Sequence, residues 1–113
     1  MSRDEATLLD IAQAARLILA FKENMDKAAF LSDVKTQSAI LHQLLVMGEA
    51  VKRLSQDLRA FHTQIPWGLI AGMRDKLIHA YDIVDMAEVW KTVDKDVSNL
   101  LSLLEPLLPK QDG

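Results

Sequence analysis

The apolar residues of this chain recur at helical spacing along nearly its whole length, and this pattern constrains the fold more than any other feature. Only 4 of the 113 residues are glycine and 3 are proline. Runs of β-branched residues and alternating apolar and polar residues, which would indicate strands, are nearly absent. The sequence therefore predicts an all-α fold.

Capping signals predict the first helices. The segment Ser2–Glu5 is typical of a capping box, and the helix that it opens is expected to end near Glu23 or Asn24. A short helical turn is expected over Lys27–Leu31. A second long helix follows, because its apolar positions continue from about residue 34 to residue 55.

Ser32 or Asp33 is expected to cap this second long helix, Val34–Ser55. Its apolar residues cover more than one stripe, which predicts a central position with neighbours on two sides. Gly48 lies in its middle, where glycine costs about 1 kcal/mol of helix propensity relative to alanine. We interpret Gly48 as a point where another backbone approaches closely.

A third helix is expected from about Trp67 to Tyr81, with Pro66 at its start. Asp85 is expected to cap a last helix that Pro106 and Pro109 end. The predicted architecture is an antiparallel bundle of four to five helices, forming a single domain over residues 1–113 with a flexible tail from about 106. Half of the residues are hydrophobic, which suggests that a face is buried against a second copy.

Composition excludes several classes of protein. The chain has no cysteine, so disulfides and thiolate metal sites are excluded and a reducing compartment is expected. It begins with no signal-peptide pattern, and no apolar run is long enough to cross a bilayer, so we expect a cytoplasmic protein. The net charge of −3 argues against a broad basic surface for RNA and leaves a small local basic site or no nucleic acid.

The third helix divides into two faces at about 100° per residue. We expect its core face to consist of Leu69, Ile70, Met73, Leu77, Ala80 and Val84. The opposite face consists of Tyr81, Arg74, Ile78, Asp82, Asp75 and His79. A solvated face rich in lysine and glutamate would be ordinary, whereas this one carries an imidazole, a guanidinium and a phenol.

These side chains suit the cleavage of a phosphodiester. Histidine gains and loses a proton near neutral pH, so His79 is a candidate general base or acid. Arg74 offers a fork of donors to a phosphate, and Asp75, one turn before His79, is a candidate to orient the imidazole. Arg74 and His79 lie about 140° apart around the helix, so we expect a two-fold pairing of this helix to complete the site and to create a local positive charge.

The segment Arg74–Tyr81 resembles the Arg-x4-His-x-Tyr motif of the HepT-like toxins of the HEPN superfamily. The segments Lys35–Ala39, Gly48–Ser55, Ile65–Trp67, Gly72–Asp75 and Asp82–Asp85 resemble other recurrent stretches of the same family. The likeness thus extends over nearly the whole chain.

This resemblance implies a metal-independent endoribonuclease that works as a homodimer without a cofactor. Arg74 and His79 would be its catalytic residues at the dimer interface, with Asp75 in support. A nucleotidyltransferase antitoxin would use ATP to transfer AMP to Tyr81, and the added bulk and negative charge would block the cleft to RNA.

Two other functions stay open at this point. The chain could be a non-catalytic module that binds a nucleotide or a partner protein through the same cleft. It could also be a structural dimerisation unit with a solvated polar face. No histidine pair among His42, His62 and His79 has metal-ligand spacing, so a zinc site is not expected.

Overall fold

The computed structural model describes residues 2–110, except for the side chain of Tyr81, and these residues form helices and turns with no strand. The all-α prediction is therefore confirmed. The helices are α1 (Arg3–Phe21), α2 (Lys27–Leu31), α3 (Val34–Arg53), α4 (Gln56–Phe61), α5 (Trp67–His79), α6 (Met86–Lys91) and α7 (Val97–Leu104). A π-helical turn, Thr92–Asp96, joins α6 to α7, and 3₁₀ turns lie at Tyr81–Ile83 and Glu105–Leu107.

The predicted helix starts are confirmed by their caps. Ser2 and Glu5 form a complete capping box at the start of α1. Asp33, rather than Ser32, caps α3 by accepting a hydrogen bond from the backbone N–H of Thr36 at 3.0 Å. Asp85 caps α6 through the N–H of Ala87 at 2.9 Å.

Helix α3 is the central element, as its broad apolar surface predicts, because it packs on α1 along one side and on α5 along another. Two contacts show that α1 and α3 run antiparallel. Asp4 of α1 accepts two hydrogen bonds from Ser55, just after α3, and Asp10 of α1 forms an ion pair with Arg53. The last helical segment, α6 to α7, covers α1 with a buried stripe formed by Val89, Val93, Val97, Leu100 and Leu104.

Helix α4 was not expected from the sequence. Ser55, which we expected to end the preceding helix, instead caps α4 by accepting a hydrogen bond from the N–H of Leu58. The loop after α4 is fixed by Trp67, whose indole N–H donates to the carbonyl of His62 at 3.0 Å. This bond joins the first residue of α5 to the residue that follows α4.

The predicted core face of α5 is partly wrong. Leu77 is buried with 2% of its surface exposed, but Leu69 is 78% exposed, and Ile70 and Met73 are only half-buried. The reason is that α5 packs chiefly on α3 and leaves an apolar groove of about 400 Å³ between α3, α5 and α7. Leu69 lies on the rim of that groove rather than in the core.

The described structure includes part of the segment predicted as a tail. Residues 105–107 form a 3₁₀ turn, and Leu107 and Leu108 pack against the core. Residues 111–113 of the predicted tail lie outside the described residues. None of the described helices is both long enough and apolar enough to cross a membrane.

Candidate active site

The predicted site residues lie along α5 and at its C-terminal end. The helix ends at His79, and the backbone N–H of Ala80 closes its last turn on the carbonyl of Lys76 at 2.9 Å. His79 is exposed on the uncovered side of α5. Arg74, by contrast, lies at the edge of α5 that faces α3, with 22% of its side-chain surface exposed.

Gly48 allows α3 and α5 to meet at Arg74. A Cβ atom placed on Gly48 would overlap the Cβ of Arg74 and would lie 3.1 Å from the carbonyl oxygen of Ile70. The close backbone approach that the sequence predicted at Gly48 is therefore confirmed, and its partner is the helix that carries the motif.

Two carboxylates hold the guanidinium of Arg74. Its Nε donates to Oε1 of Glu49 at 2.5 Å, and its Nη1 donates to Oδ1 of Asp75 at 2.9 Å. Hydrogen bonds from Arg74 to Asp75 and to Glu49 raise the pKa of the guanidinium above its ordinary value, so it stays charged. A charged fork held in one orientation is suited to bind a phosphate.

Lys52 extends this network along α3. Its Nζ donates to the same Oδ1 of Asp75 at 2.5 Å. The hydrogen bond from Lys52, followed by that from Arg74, lowers the pKa of the Asp75 carboxyl below its usual range. The four side chains of Glu49, Lys52, Arg74 and Asp75, which we call the α3–α5 ion network, carry two positive and two negative charges and are neutral as a group.

The structure brings some of the predicted site residues together and keeps others apart. Asp75 contacts Arg74, whereas no hydrogen bond within residues 2–110 joins Asp75 or Arg74 to His79. In the single chain Asp75 therefore orients the guanidinium rather than the imidazole. Tyr81 begins the 3₁₀ turn after α5, but its side chain, the predicted site of AMP transfer, lies outside the described residues.

Sequence reasoning missed the roles of Glu49 and Lys52. Glu49 directly follows Gly48, and Lys52 lies three residues after Glu49, a spacing that places both charged residues on one face of α3. The signal was present, because the glycine marked the contact and the charged residues next to it face the same neighbour. What the sequence lacked was the identity of that neighbour.

The described residues contain no group of three or more histidine, aspartate or glutamate side chains arranged to hold a metal ion. His42 is exposed on α3, and His62 ends α4 with its ring in an edge-to-face contact with Phe61. Neither histidine takes part in the α3–α5 ion network.

Comparison with known proteins identifies the family. The profile of the family described as "Ribonuclease HepT-like" matches residues 11–107. The chain belongs to this family. The match includes α3 and α5 in full, and with them Gly48, Arg74 and His79. The resemblance read from the motif, and the enzyme class that it implied, are confirmed at the level of this ribonuclease family.

Curated relatives of this HepT-like chain agree with the assignment. It is 45% identical over 100 residues to a protein of Thermococcus cleftensis named "Probable ribonuclease HepT", a match that covers 88% of this chain and 91% of the relative. It is 37% identical over 108 residues to a "Putative RNase" of Methanocaldococcus jannaschii, covering 96% and 89% of the two chains. A "Putative RNase" of Caldanaerobacter subterraneus is 34% identical over 101 residues, covering 89% and 90%. No solved structure matched the chain.

Proposed function

We propose that this HepT-like chain is the toxin of a toxin–antitoxin pair and that it cleaves RNA in the cytoplasm as a metal-independent endoribonuclease. The observation that supports this function best is the placement of the two motif side chains. Arg74 is charged and held at the inner edge of α5, while His79 is exposed on its outer side. One side chain is suited to bind a phosphate and the other to move a proton.

The proposed reaction uses the ribose 2′-hydroxyl as the nucleophile. His79 accepts the 2′-hydroxyl proton while the 2′-oxygen attacks phosphorus, and the bond from phosphorus to the 5′-oxygen breaks. The products are a 2′,3′-cyclic phosphate and a 5′-hydroxyl, whose proton comes from a second acid, for which the His79 of another copy is the candidate. Arg74 stabilises the negative charge that builds on the phosphate oxygens.

The separation of Arg74 and His79 supports a homodimer as part of this proposal, because the two side chains lie on different sides of one helix. The outer surface of α5 supports a second copy as the partner. Gly68, Gly72 and His79 fall within about 40° of arc, and added Cβ atoms on the two glycines would meet nothing within 4 Å. Two α5 helices could therefore approach closely with a histidine from each beside the contact.

Regulation by an antitoxin completes the proposal. A nucleotidyltransferase encoded next to this chain would transfer AMP from ATP to Tyr81, two residues after His79 in the sequence. An adenylyl group there would bring a negative phosphate into the site that must accept RNA phosphate. Repulsion and bulk would both reduce cleavage.

Growth arrest is the first test. We expect cells that express the chain alone to stop growing, and the His79→Ala and Arg74→Ala variants to relieve the arrest. His42→Ala is the matched control, because His42 is also an exposed helical histidine but lies outside the site. Arrest by His79→Ala as strong as that by the wild type would contradict the catalytic role of His79.

Cleavage by the purified protein is the second test. The wild type is expected to cut RNA in the presence of EDTA and to leave 2′,3′-cyclic phosphate ends, with a rate that falls on dilution below the dimer dissociation constant. A protein that binds RNA or nucleotide but leaves RNA intact would instead favour the non-catalytic binding module.

A further inference from the structure

Glu49 is the residue of α3 that accepts a hydrogen bond from the candidate catalytic arginine. Its Oε1 accepts a hydrogen bond from Nε of Arg74, and its own side chain is 43% exposed, so the carboxylate lies at the rim of the site rather than in the core. Gly48, the preceding residue, removes the side chain that would otherwise hold the two helices apart. Helix α3 thus determines both how near Arg74 lies and how its guanidinium is turned.

The two carboxylates bind different nitrogens of the same planar group. Glu49 occupies Nε and Asp75 occupies Nη1, which fixes the plane of the guanidinium. The guanidinium has five N–H donors, and no hydrogen bond from Nη2 to any described residue is formed. The Nη2 edge is thus the part of Arg74 that can bind a phosphate while both carboxylates stay in place.

The charge of Glu49 also opposes substrate. The α3–α5 ion network is neutral, so a phosphate that approaches Arg74 meets a guanidinium whose charge two carboxylates already offset. Removing the Glu49 charge should strengthen phosphate binding by electrostatics and, at the same time, free the guanidinium to rotate. Glu49 therefore keeps the Arg74 guanidinium oriented but weakens its affinity for phosphate.

We propose that Glu49 is a positioning residue for RNA cleavage, which holds Arg74 so that its Nη2 edge faces the scissile phosphate and which weakens the binding of RNA in the ground state. This inference rests on the proposed ribonuclease function. It adds a residue of α3 to a site whose motif lies wholly on α5. Because Glu49 offsets part of the Arg74 charge, it also limits the affinity of this acidic chain for the RNA substrate and for the cleaved product.

The test compares Glu49→Ala, Glu49→Gln and the wild type on a fluorescein-labelled mixed-sequence RNA oligonucleotide. We expect Glu49→Ala to lower kcat about 10- to 100-fold, the scale of a misplaced catalytic group. Its KM should also fall, by about two- to fivefold, as expected for removal of one charge from a partly exposed pair. Glu49→Gln keeps an amide oxygen that can accept from Nε, so it should restore most of kcat while KM stays low.

Glu23→Gln is the matched control, because Glu23 is an exposed residue just after α1 and is not part of the α3–α5 ion network. It should leave both constants at the wild-type values. Circular dichroism and thermal unfolding of every variant check that the fold is intact. A loss of folded protein alone would lower kcat without lowering KM.

The inference fails if both Glu49 variants have the wild-type kcat and KM, or if KM rises as it should in Arg74→Ala. If Glu49→Ala does not fold, Glu49→Gln decides, and an unchanged KM overturns the proposal. Absence of RNA cleavage by the wild type, in contrast, defeats the proposed function itself. In that case, a comparison of the wild type and Glu49→Gln in binding the same oligonucleotide would still show whether the substitution raises the affinity for RNA.

Discussion

Gly48 of α3 and Arg74 of α5 are in direct contact, and no residue larger than glycine fits at position 48 unless one helix moves. The atom that a new Cβ would meet is the Cβ of Arg74, close to the α5 backbone, so rotation of the flexible guanidinium end does not relieve the overlap. The contact between the two helices and the orientation of the site thus depend on the same position.

Gly48→Ala is expected to destabilise the protein by about 1–3 kcal/mol, the usual cost of overpacking, even though alanine favours a helix by about 1 kcal/mol over glycine. It should also reduce RNA cleavage, because α5 carries Arg74 away from Glu49. Urea denaturation followed by circular dichroism measures the free energy of unfolding. Ser38→Ala is the control, because it also introduces alanine on α3 but at an exposed position, and a loss from Ser38→Ala as large as that from Gly48→Ala would contradict the argument.

Leu77 and Leu69 lie on the same helix but differ in burial, at 2% and 78% exposure. Leu77→Ala is expected to lower the free energy of unfolding by about 2–5 kcal/mol, because it leaves a cavity in the core. Leu69→Ala should change it by less than about 0.5 kcal/mol in the isolated chain. Thermal unfolding of both variants at one protein concentration makes the comparison, and equal losses would show that Leu69 is also covered.

Asp75 should make stability depend on pH. Hydrogen bonds from Lys52 and Arg74 lower the pKa of its carboxyl below the usual 3.8. A group with a lower pKa in the folded state stabilises the fold above its unfolded pKa and loses that contribution as the pH falls through the folded pKa. The difference in free energy of unfolding between the wild type and Asp75→Asn should therefore be constant above about pH 5 and shrink below about pH 4.

Denaturation of the two proteins by urea between about pH 7 and pH 3 measures this difference, which should be modest because the pair is partly exposed. Asp82→Asn, a change at an exposed aspartate outside the α3–α5 ion network, is the control. A difference for Asp75→Asn that grows on acidification would have the wrong sign and would contradict the assigned hydrogen bonds.

Tyr81 is the only tyrosine of the chain, which makes its modification simple to follow. When the chain is expressed together with a neighbouring nucleotidyltransferase, its intact mass should rise by one or more adenylyl groups, as the phenol oxygen attacks the α-phosphorus of ATP and pyrophosphate leaves. Tyr81→Phe lacks that oxygen and should keep its unmodified mass. A gain of mass that persists in Tyr81→Phe would place the modification on another residue.

Much of the fold could be predicted because local signals carry it. The caps at Ser2, Asp33 and Asp85 act within one turn of the helix that they begin, so their meaning does not depend on the rest of the chain. Gly48 was also informative, since a glycine in a helix as apolar as α3 requires a compensating contact. Helix α4 escaped prediction because six residues with no buried side chain leave little apolar periodicity to detect.

The candidate site was also predictable only in part. Helical periodicity places Arg74, Asp75 and His79 on α5, and the order of residues determines the angles between them. The contacts of Arg74 and Asp75 depend instead on the packing of α3 against α5. Glu49 and Arg74, for example, are hydrogen-bonded although they lie 25 positions apart in the sequence. The exposure of Leu69 likewise depends on how far α5 lies from α7, a distance that no periodicity encodes. Intervals of three or four residues are set by the geometry of one helix, whereas partners on different helices are chosen only when the whole core packs.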